Sequence, residues 1–271
     1  MAPSAQAEAP LRALARELAR AAGAVLRRHR RGEVTVARTK SSGSDVVTAA
    51  DVASEQELRR LLAAARPHDG VLGEEEGLVP GTSGLTWVLD PLDGTVNFLY
   101  GTGTYAVSVG VVRGEPDVAT WTPVAGAVLD VEREQTWSAA AGEGADRDGA
   151  PLHVSACARL DRCLLGTGFS YDAAVRAEQG RAVALLLPQV RDVRRIGAAA
   201  IDLCLVAEGR LDAYAERGLQ PWDHAAGALV AVEAGAVVHG PGGGRPDRRL
   251  VLASAPAVAA ELGAAVAASG L

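Results

Sequence analysis

Trp87-Val88-Leu89-Asp90-Pro91-Leu92-Asp93-Gly94-Thr95 is an apolar run that ends in two carboxylates three residues apart, followed by a Gly-Thr pair. Trp87, Val88 and Leu89 suit a buried strand, and Pro91, which has no N–H to donate, is expected to stop the ladder and fix a turn. Asp90 and Asp93 would then project from the strand's carboxyl end. Gly94 lets the backbone approach a ligand closely. A helix opening at Thr95 through Val96-Asn97-Phe98-Leu99 would point its free N–H groups at the place where the carboxylates meet. That arrangement suits an anion held between cations and backbone donors. An Asx-type turn that only caps a helix is the competing reading of the same residues.

Two further acidic segments bear on the choice. Val71-Leu72-Gly73-Glu74-Glu75-Glu76-Gly77 is a short apolar strand running into three glutamates, and Pro221-Trp222-Asp223-His224-Ala225-Ala226-Gly227 places an aspartate where an Ala-rich helix begins. Singly, each reads as a solvated loop or a helix cap. Together they supply hard oxygen donors at element ends without Cys and without an obligatory His, the donor chemistry preferred by Mg²⁺ or Mn²⁺ over zinc or copper. The four carboxylates of Glu74, Asp90, Asp93 and Asp223 would repel a phosphate monoester, which itself carries about two negative charges, unless divalent cations stand between them. With cations present, a positioned water suffices as nucleophile and no covalent intermediate is required. The chain has no G-x-x-x-x-G-K-[ST] loop and no H-E-x-x-H helix.

The 271 residues are 48% hydrophobic and carry a formal net charge of −6, which fits a globular chain with a sizeable core and argues against non-specific nucleic-acid binding. The basic stretch Arg27-Arg28-His29-Arg30-Arg31 is read as the carboxyl end of a helix whose apolar face carries Leu11, Leu14, Leu18 and Val25. No segment has a signal-peptide core or is apolar enough to span a bilayer. Cys157, Cys163 and Cys204 lack zinc spacing and are expected to be buried or free thiols, which points to the cytoplasm.

The breakers predict a second helix from Asp51 to Ala65 and a half-buried strand over Tyr105 to Val112. Another strand pair should bracket Ala141 to Gly144, with a helix over Ala199 to Glu208, a strand over Leu211 to Tyr214 and a helix over His224 to Ala234. The fold class is α/β: residues 1–153 form an α+β half with paired helices over an antiparallel sheet, and residues 154–271 form an α/β half. His224 is expected to be exposed or to sit behind the ligands rather than act as an acid. One of Glu75 and Glu76 should lie near the cations and the other in solvent. Trp87 and Trp222 should pack beneath the carboxylates.

The pattern resembles the inositol monophosphatase family of Mg²⁺-dependent, lithium-sensitive phosphomonoesterases. Its G-E-E segment stands here as Gly73-Glu74-Glu75, its D-P-[LI]-D-G-T segment as Asp90 to Thr95, and its W-D-x-A-A-G segment as Trp222 to Gly227. Lys40 with Asp45-Val46-Val47-Thr48-Ala49-Ala50-Asp51, Arg195 to Cys204, and Val206 to Tyr214 resemble further family segments in the same order. The resemblance implies a layered α-β-α-β-α sandwich and a homodimer. It places Glu74, Asp90 and the Leu92 carbonyl on a first Mg²⁺ and Asp90, Asp93 and Asp223 on a second, with Glu74 sharing a third. Two to three ions per site follow, with Mn²⁺ as an alternative metal. Asp51, Glu74 and Thr95 would be catalytic, Asp51 and Thr95 orienting the attacking water. Gly94 and Thr95 would offer N–H groups to the phosphate. Asp93, Ala199, Asp223 and Glu216 would lie on the substrate side, Glu216 bonding a substrate hydroxyl.

Ala198 stands where the family usually has Ser or Thr, which removes a hydroxyl. The expected substrate is a small phosphorylated polyol, myo-inositol 1-phosphate first, partly because Gly166 to Asp172 looks like the inositol phosphatase branch. Histidinol phosphate, fructose bisphosphate and a 3′-phosphonucleotide are the rivals within the same chemistry. A catalytically idle metal- or phosphate-binding protein is the rival from another class.

Overall fold

Helix α1 (Ala9–Arg30) begins with Pro10, at a position that needs no N–H, and ends with Arg27, Arg28, His29 and Arg30 at the carbonyl end of its dipole, as the basic stretch predicts. It belongs to a computed structural model that describes residues 8–32, 34, 36–39 and 46–271. Lys40 and Asp45 lie outside the described residues. The inward face of α1 is Leu11, Ala15, Leu18, Ala19, Ala22, Val25 and Leu26, an apolar stripe rich in small side chains that brings the helix close to the sheet below.

Strands β1 (Val36–Thr39) and β2 (Val46–Thr48) pair antiparallel and lead into α2 (Ala49–Ala65). This helix starts before the expected Asp51 because Thr48 caps it. Thr48 Oγ1 accepts the Ala50 N–H at 3.2 Å, and Asp51 reaches back to accept the Thr48 N–H at 2.8 Å.

The chain then lays down β3 (Gly70–Gly73), β4 (Gly77–Val79), β5 (Leu85–Asp93), the short helix α3 (Thr95–Tyr100), β6 (Ala106–Arg113), β7 (Thr122–Asp130), β8 (Gln135–Ala140), β9 (Ala145–Arg147) and β10 (Ala150–Pro151). These strands form one sheet in the order β10-β9-β8-β7-β6-β5-β3-β4, antiparallel except where β3 runs parallel to β5. The parallel pair brings the carboxyl ends of β3 and β5 side by side. That is why Glu74 and Asp90 become neighbours: the Glu74 N–H donates to the Leu89 carbonyl at 3.2 Å.

Pro91 does not stop the ladder; β5 continues to Asp93, with an irregular register against β6 between Asp90 and Asp93. The bulge gives Pro91 a place without an N–H partner and re-aims the two aspartates. Nor is β6 half-buried. Every residue from Ala106 to Val112 is buried, because both faces of the sheet are covered. Val107, Val109 and Val111 join the core under α1 and α2, while Ala106 faces the opposite layer. Each such valine contributes on the order of 1.5–3 kcal/mol by leaving water.

The second sheet comprises β11 (Leu164–Thr167), β12 (Asp192–Arg194), β13 (Ala213–Glu216), β14 (Val237–His239) and β15 (Val251–Ser254), in the order β12-β11-β13-β15-β14. It is interleaved with α4 (Ala173–Leu186), α5 (Ala199–Ala207), α6 (Pro221–Glu233) and α7 (Ala259–Ser269). Side-chain alternation splits its two faces. Leu165, Ala213, Ala215 and Leu252 meet α4 and α7, whereas Tyr214, Val251 and Ala253 meet α5. Helices α5 and α6 also pack on the first sheet, where β-carbons at Gly110 and Gly126 would lie 2.9 Å from Ala225 Cβ and 3.0 Å from Ala226 Cα. Glycine is what lets α6 come this near.

The layers are therefore α1/α2, the eight-stranded sheet, α5/α6, the five-stranded sheet and α4/α7. This is the α-β-α-β-α sandwich that the resemblance implies. The strand expected over Leu211 to Tyr214 lies further on, at β13. Leu211 is still turning back on α5, its N–H donating to the Leu205 carbonyl at 3.1 Å, and the Asp212 carboxylate accepts the Leu164 N–H at 2.7 Å. The shift carries Glu216 to the strand's end. Among the described residues, no helix is long and apolar enough to cross a membrane.

Candidate active site

The carboxyl ends of β3, β5, β11 and β13 and the amino ends of α3, α5 and α6 border one cavity of about 380 Å³. Glu74, Asp90, Asp93 and Asp223 all line it, together with Leu92, Gly94, Thr95, Ala199 and Glu216. Of the residues expected at the site, Asp51 alone does not reach the cavity wall. It stands behind Thr95, whose hydroxyl lies 3.0 Å from Asp51 Oδ1 and 3.1 Å from the Leu92 carbonyl. Asp51 Oδ2 is occupied by the N–H and hydroxyl of Thr48, at 2.8 and 2.6 Å. The carboxylate is thus held by the start of α2, and the Thr95 hydroxyl stands between it and the cavity.

The cap reading of the aspartates holds alongside the ligand reading. Asp223 is the third residue of α6 and accepts the Gln220 N–H at 2.6 Å. Asp93 Oδ2 accepts the Ala200 N–H at 2.8 Å and so caps α5, which comes from the other half of the chain. Asp90 Oδ1 accepts the Leu92 N–H at 3.0 Å, shaping the bulge. Each backbone bond fixes one carboxylate oxygen and its rotamer, so the orientation of the group toward the cavity is set before any ligand arrives.

Gly94 takes φ +90°, and a β-carbon there would stand 3.1 Å from the Gly197 carbonyl oxygen and 3.2 Å from that of Thr104. The left-handed backbone and the crowding both require glycine. Asn97 ties the same corner together through its Nδ2, which donates to the carbonyls of Thr104 at 2.8 Å and Ile196 at 2.9 Å.

Burial, then mutual repulsion, governs the electrostatics. The Asp90 carboxyl is held well above the usual range by loss of water and by the charges of Glu74, Asp93 and Asp223, and it shares a hydrogen bond with Glu74. Asp223 rises for the same two reasons. Asp93 is pushed up to about 7 by burial, against the lowering effect of the Ala200 N–H. Four acids on one wall therefore favour protons or cations in their midst. All the donors are oxygens, which suits a hard divalent ion. Among the described residues, no three Asp, Glu, His or Cys side chains are already gathered into a coordination cluster, so the fit to a cation rests on donor chemistry and on this repulsion.

The wall that the second sheet supplies is of another kind. Glu216 ends β13, accepts the Tyr214 hydroxyl, and faces Gly168 at the end of β11. Arg195 and Arg248 border the cavity as well. Beneath them Asp202 is 1% exposed with no partner for its Oδ1 among the described residues, and burial followed by the charge of Glu216 holds its carboxyl well above the ordinary range. The sequence contains Arg195 and Asp202 within a segment that matches the resembled family, yet nothing in their spacing assigns them a place at a site.

Trp87 is fully buried in the core under α1 and α2 and donates to Asp69 at 2.9 Å, while Trp222 lines the cavity itself. Glu75 is 1% exposed in its side chain and pairs with Arg38 at 2.6 Å, and Glu76, half exposed, lies 3.4 Å from Arg59. His224 is not exposed. It is 3% accessible and packs near Trp121, with ring centroids 6.1 Å apart, and burial lowers its pKa to about 4.

A sequence model of the inositol monophosphatase family matches residues 7–270. The inositol-1-monophosphatase SuhB of Mycobacterium tuberculosis is 47% identical over 279 residues, covering 95% of this chain and 93% of that protein. The protein named Nus factor SuhB in Xylella fastidiosa is 40% identical over 222 residues, covering 81% and 78%. The solved structure of Mycobacterium tuberculosis SuhB matches with a TM-score of 0.82 at 45% identity, over 97% of each chain. Phosphatases of this family are metal-dependent and act on small phosphorylated substrates, and the chain is a phosphoric monoester hydrolase of their type. Its fold, the order of its acidic segments and the cavity they border agree, and the chain belongs to the inositol monophosphatase family.

Proposed function

We propose that the chain hydrolyses a small polyol phosphate, myo-inositol 1-phosphate foremost, with Mg²⁺ held by Glu74, Asp90, the Leu92 carbonyl, Asp93 and Asp223. The observation that carries this reading is that Glu74, Asp90, Asp93 and Asp223 line one cavity together with Glu216, in a volume of about 380 Å³ that fits one small ring and its phosphate. Bound divalent ions would activate water, neutralise the phosphoryl oxygens and stabilise the departing alkoxide. Thr95 Oγ1, set by Asp51 Oδ1 and the Leu92 carbonyl, orients the water for in-line approach, and Asp51 takes up its proton through that hydroxyl. A carboxylate whose ordinary acidity is already weakened by burial is suited to receiving that proton. The N–H groups of Gly94 and Thr95 steady the phosphate, and Glu216 accepts a hydrogen bond from a ring hydroxyl. With Ala198 in place of the family's usual Ser or Thr, one hydroxyl is lost on this side and recognition there falls to Glu216.

The reading carries lithium inhibition and a homodimer, both supported by family membership. A panel of myo-inositol 1-phosphate, histidinol phosphate, fructose 1,6-bisphosphate and adenosine 3′,5′-bisphosphate, ranked by kcat/KM, tests the substrate. Inositol phosphate should lead. A lead for histidinol phosphate would overturn the substrate and leave the chemistry standing. Light scattering at micromolar concentration tests the dimer, and a monomer mass would remove it.

A further inference from the structure

Strands β11 and β13 run parallel with Gly166 opposite Tyr214 and Thr167 opposite Ala215. Continuing that register brings Gly168 beside Glu216. The consequence is a close fit: a β-carbon on Gly168 would collide with both oxygens and the carboxyl carbon of Glu216. Residues two apart on a strand share a face, so Tyr214 rises on the same side as Glu216, and its hydroxyl donates to Glu216 Oε2. Tyr214 itself is fully buried in the core between α5 and the sheet, so its ring cannot swing away. Burial, and after it the charges of Glu216 and Asp202, holds the phenol protonated and therefore a donor. Among the described residues, Glu216 Oε1 has no hydrogen-bond partner, and Glu216 borders the cavity. One oxygen is clamped and the other is presented.

We infer that Tyr214 and Gly168 are positioning and specificity-determining residues, which hold the Glu216 carboxylate at the one place where its free oxygen reads a substrate hydroxyl. Tyr214 pulls the carboxylate down from below. Gly168 leaves the space it must occupy. A carboxylate with several rotatable bonds would otherwise sample many positions, and fixing it lowers the entropic cost of binding each correct substrate. The side chains at these two positions therefore set how strongly the enzyme separates hydroxylated esters from simple ones. The inference rests on the polyol phosphatase reading, and the test below separates the two.

The variants Tyr214→Phe, Gly168→Ala, Glu216→Gln and the double variant Tyr214→Phe/Glu216→Gln are assayed with Mg²⁺ on myo-inositol 1-phosphate, glycerol 2-phosphate and p-nitrophenyl phosphate. Each single change should lower the ratio of kcat/KM on inositol phosphate to that on the aryl ester about tenfold, mainly through KM. The double variant should be no worse than the worse single one, because both changes remove the same contact. Equal losses on all three esters from Tyr214→Phe, or losses that multiply in the double variant, would overturn the inference. Gly168→Ala reaches the same carboxylate from the opposite side, and an unchanged ratio there would overturn it too. If the parent enzyme shows no preference for inositol phosphate, the polyol reading fails. The coupling between Tyr214 and Glu216, measured on the ester turned over best, then still decides the positioning role.

Discussion

The two walls of the cavity are built on opposite principles. On one, Glu74, Asp90, Asp93 and Asp223 crowd together, each also bonded to a backbone N–H or to a neighbouring acid, and their repulsion makes the wall a receptor for cations. On the other, a single carboxylate, Glu216, is seated by a tyrosine and a glycine. On the proposed reading the first wall acts through charge and should tolerate little change, whereas the second acts through shape and one hydrogen bond and should tolerate more.

The sharpest way to break this contrast is to damage each wall with an isosteric change. Asp93→Asn keeps an oxygen to accept the Ala200 N–H, so α5 stays capped and circular dichroism should be unchanged. Its kcat/KM should nonetheless fall by at least about a hundredfold, the upper end of what loss of a supporting metal contact costs. Glu216→Gln should cost about tenfold, in KM. Equal losses would erase the distinction between the walls.

Stability against pH gives the next effect. With metal chelated, Asp93 titrates near 7 in the folded chain against 3.8 unfolded, and Asp90 and Asp223 shift the same way. The folded state then holds more protons than the unfolded one between those values, so stability should fall, by a few kcal/mol in order of magnitude, as pH rises through that window. Thermal melts at pH 5 and 8 measure it, and Mg²⁺ should abolish the slope. His224, on the far side of α6, has the opposite sign. Its pKa is about 4 when folded against 6.5 unfolded, so its contribution is lost as pH falls through that range, and His224→Leu should flatten the acid limb.

Smaller effects concern the helix that joins the walls. Gly126→Val would force α6 off the first sheet and should cost about 1–3 kcal/mol in urea unfolding. Ala198→Ser restores a hydroxyl beside Gly94 and should change KM for the polyol ester less than about threefold, a value near the limit of a single weak hydrogen bond.

The first wall was legible in the sequence because its chemistry is concentrated at element ends: strand, acid, glycine, helix. Asp90, Asp93 and Thr95 lie within one segment, and Glu74 and Asp223 repeat the same grammar. What the segments could not convey was the bulge at Pro91, which arises from how β5 pairs with β6, or that Asp51 sits behind Thr95. The second wall was largely hidden. Glu216 was reachable by resemblance alone, whereas Gly168, Tyr214 and Asp202 come beside it through the register of β11 against β13 and the burial beneath it, neither of which local sequence encodes. The burial of β6 on both faces was missed for a related reason: valines alternating with Ala, Ser and Gly look half-exposed until α6 is known to press on the small residues.

On the proposed function, the acidic wall works only through the cations it gathers. Phosphate release from myo-inositol 1-phosphate should be measured with Mg²⁺, after removal of all divalent ions by chelation, and after Mg²⁺ is restored. Turnover, its loss and its return are the expected results. Release that continues undiminished in the chelated enzyme would contradict the proposed function.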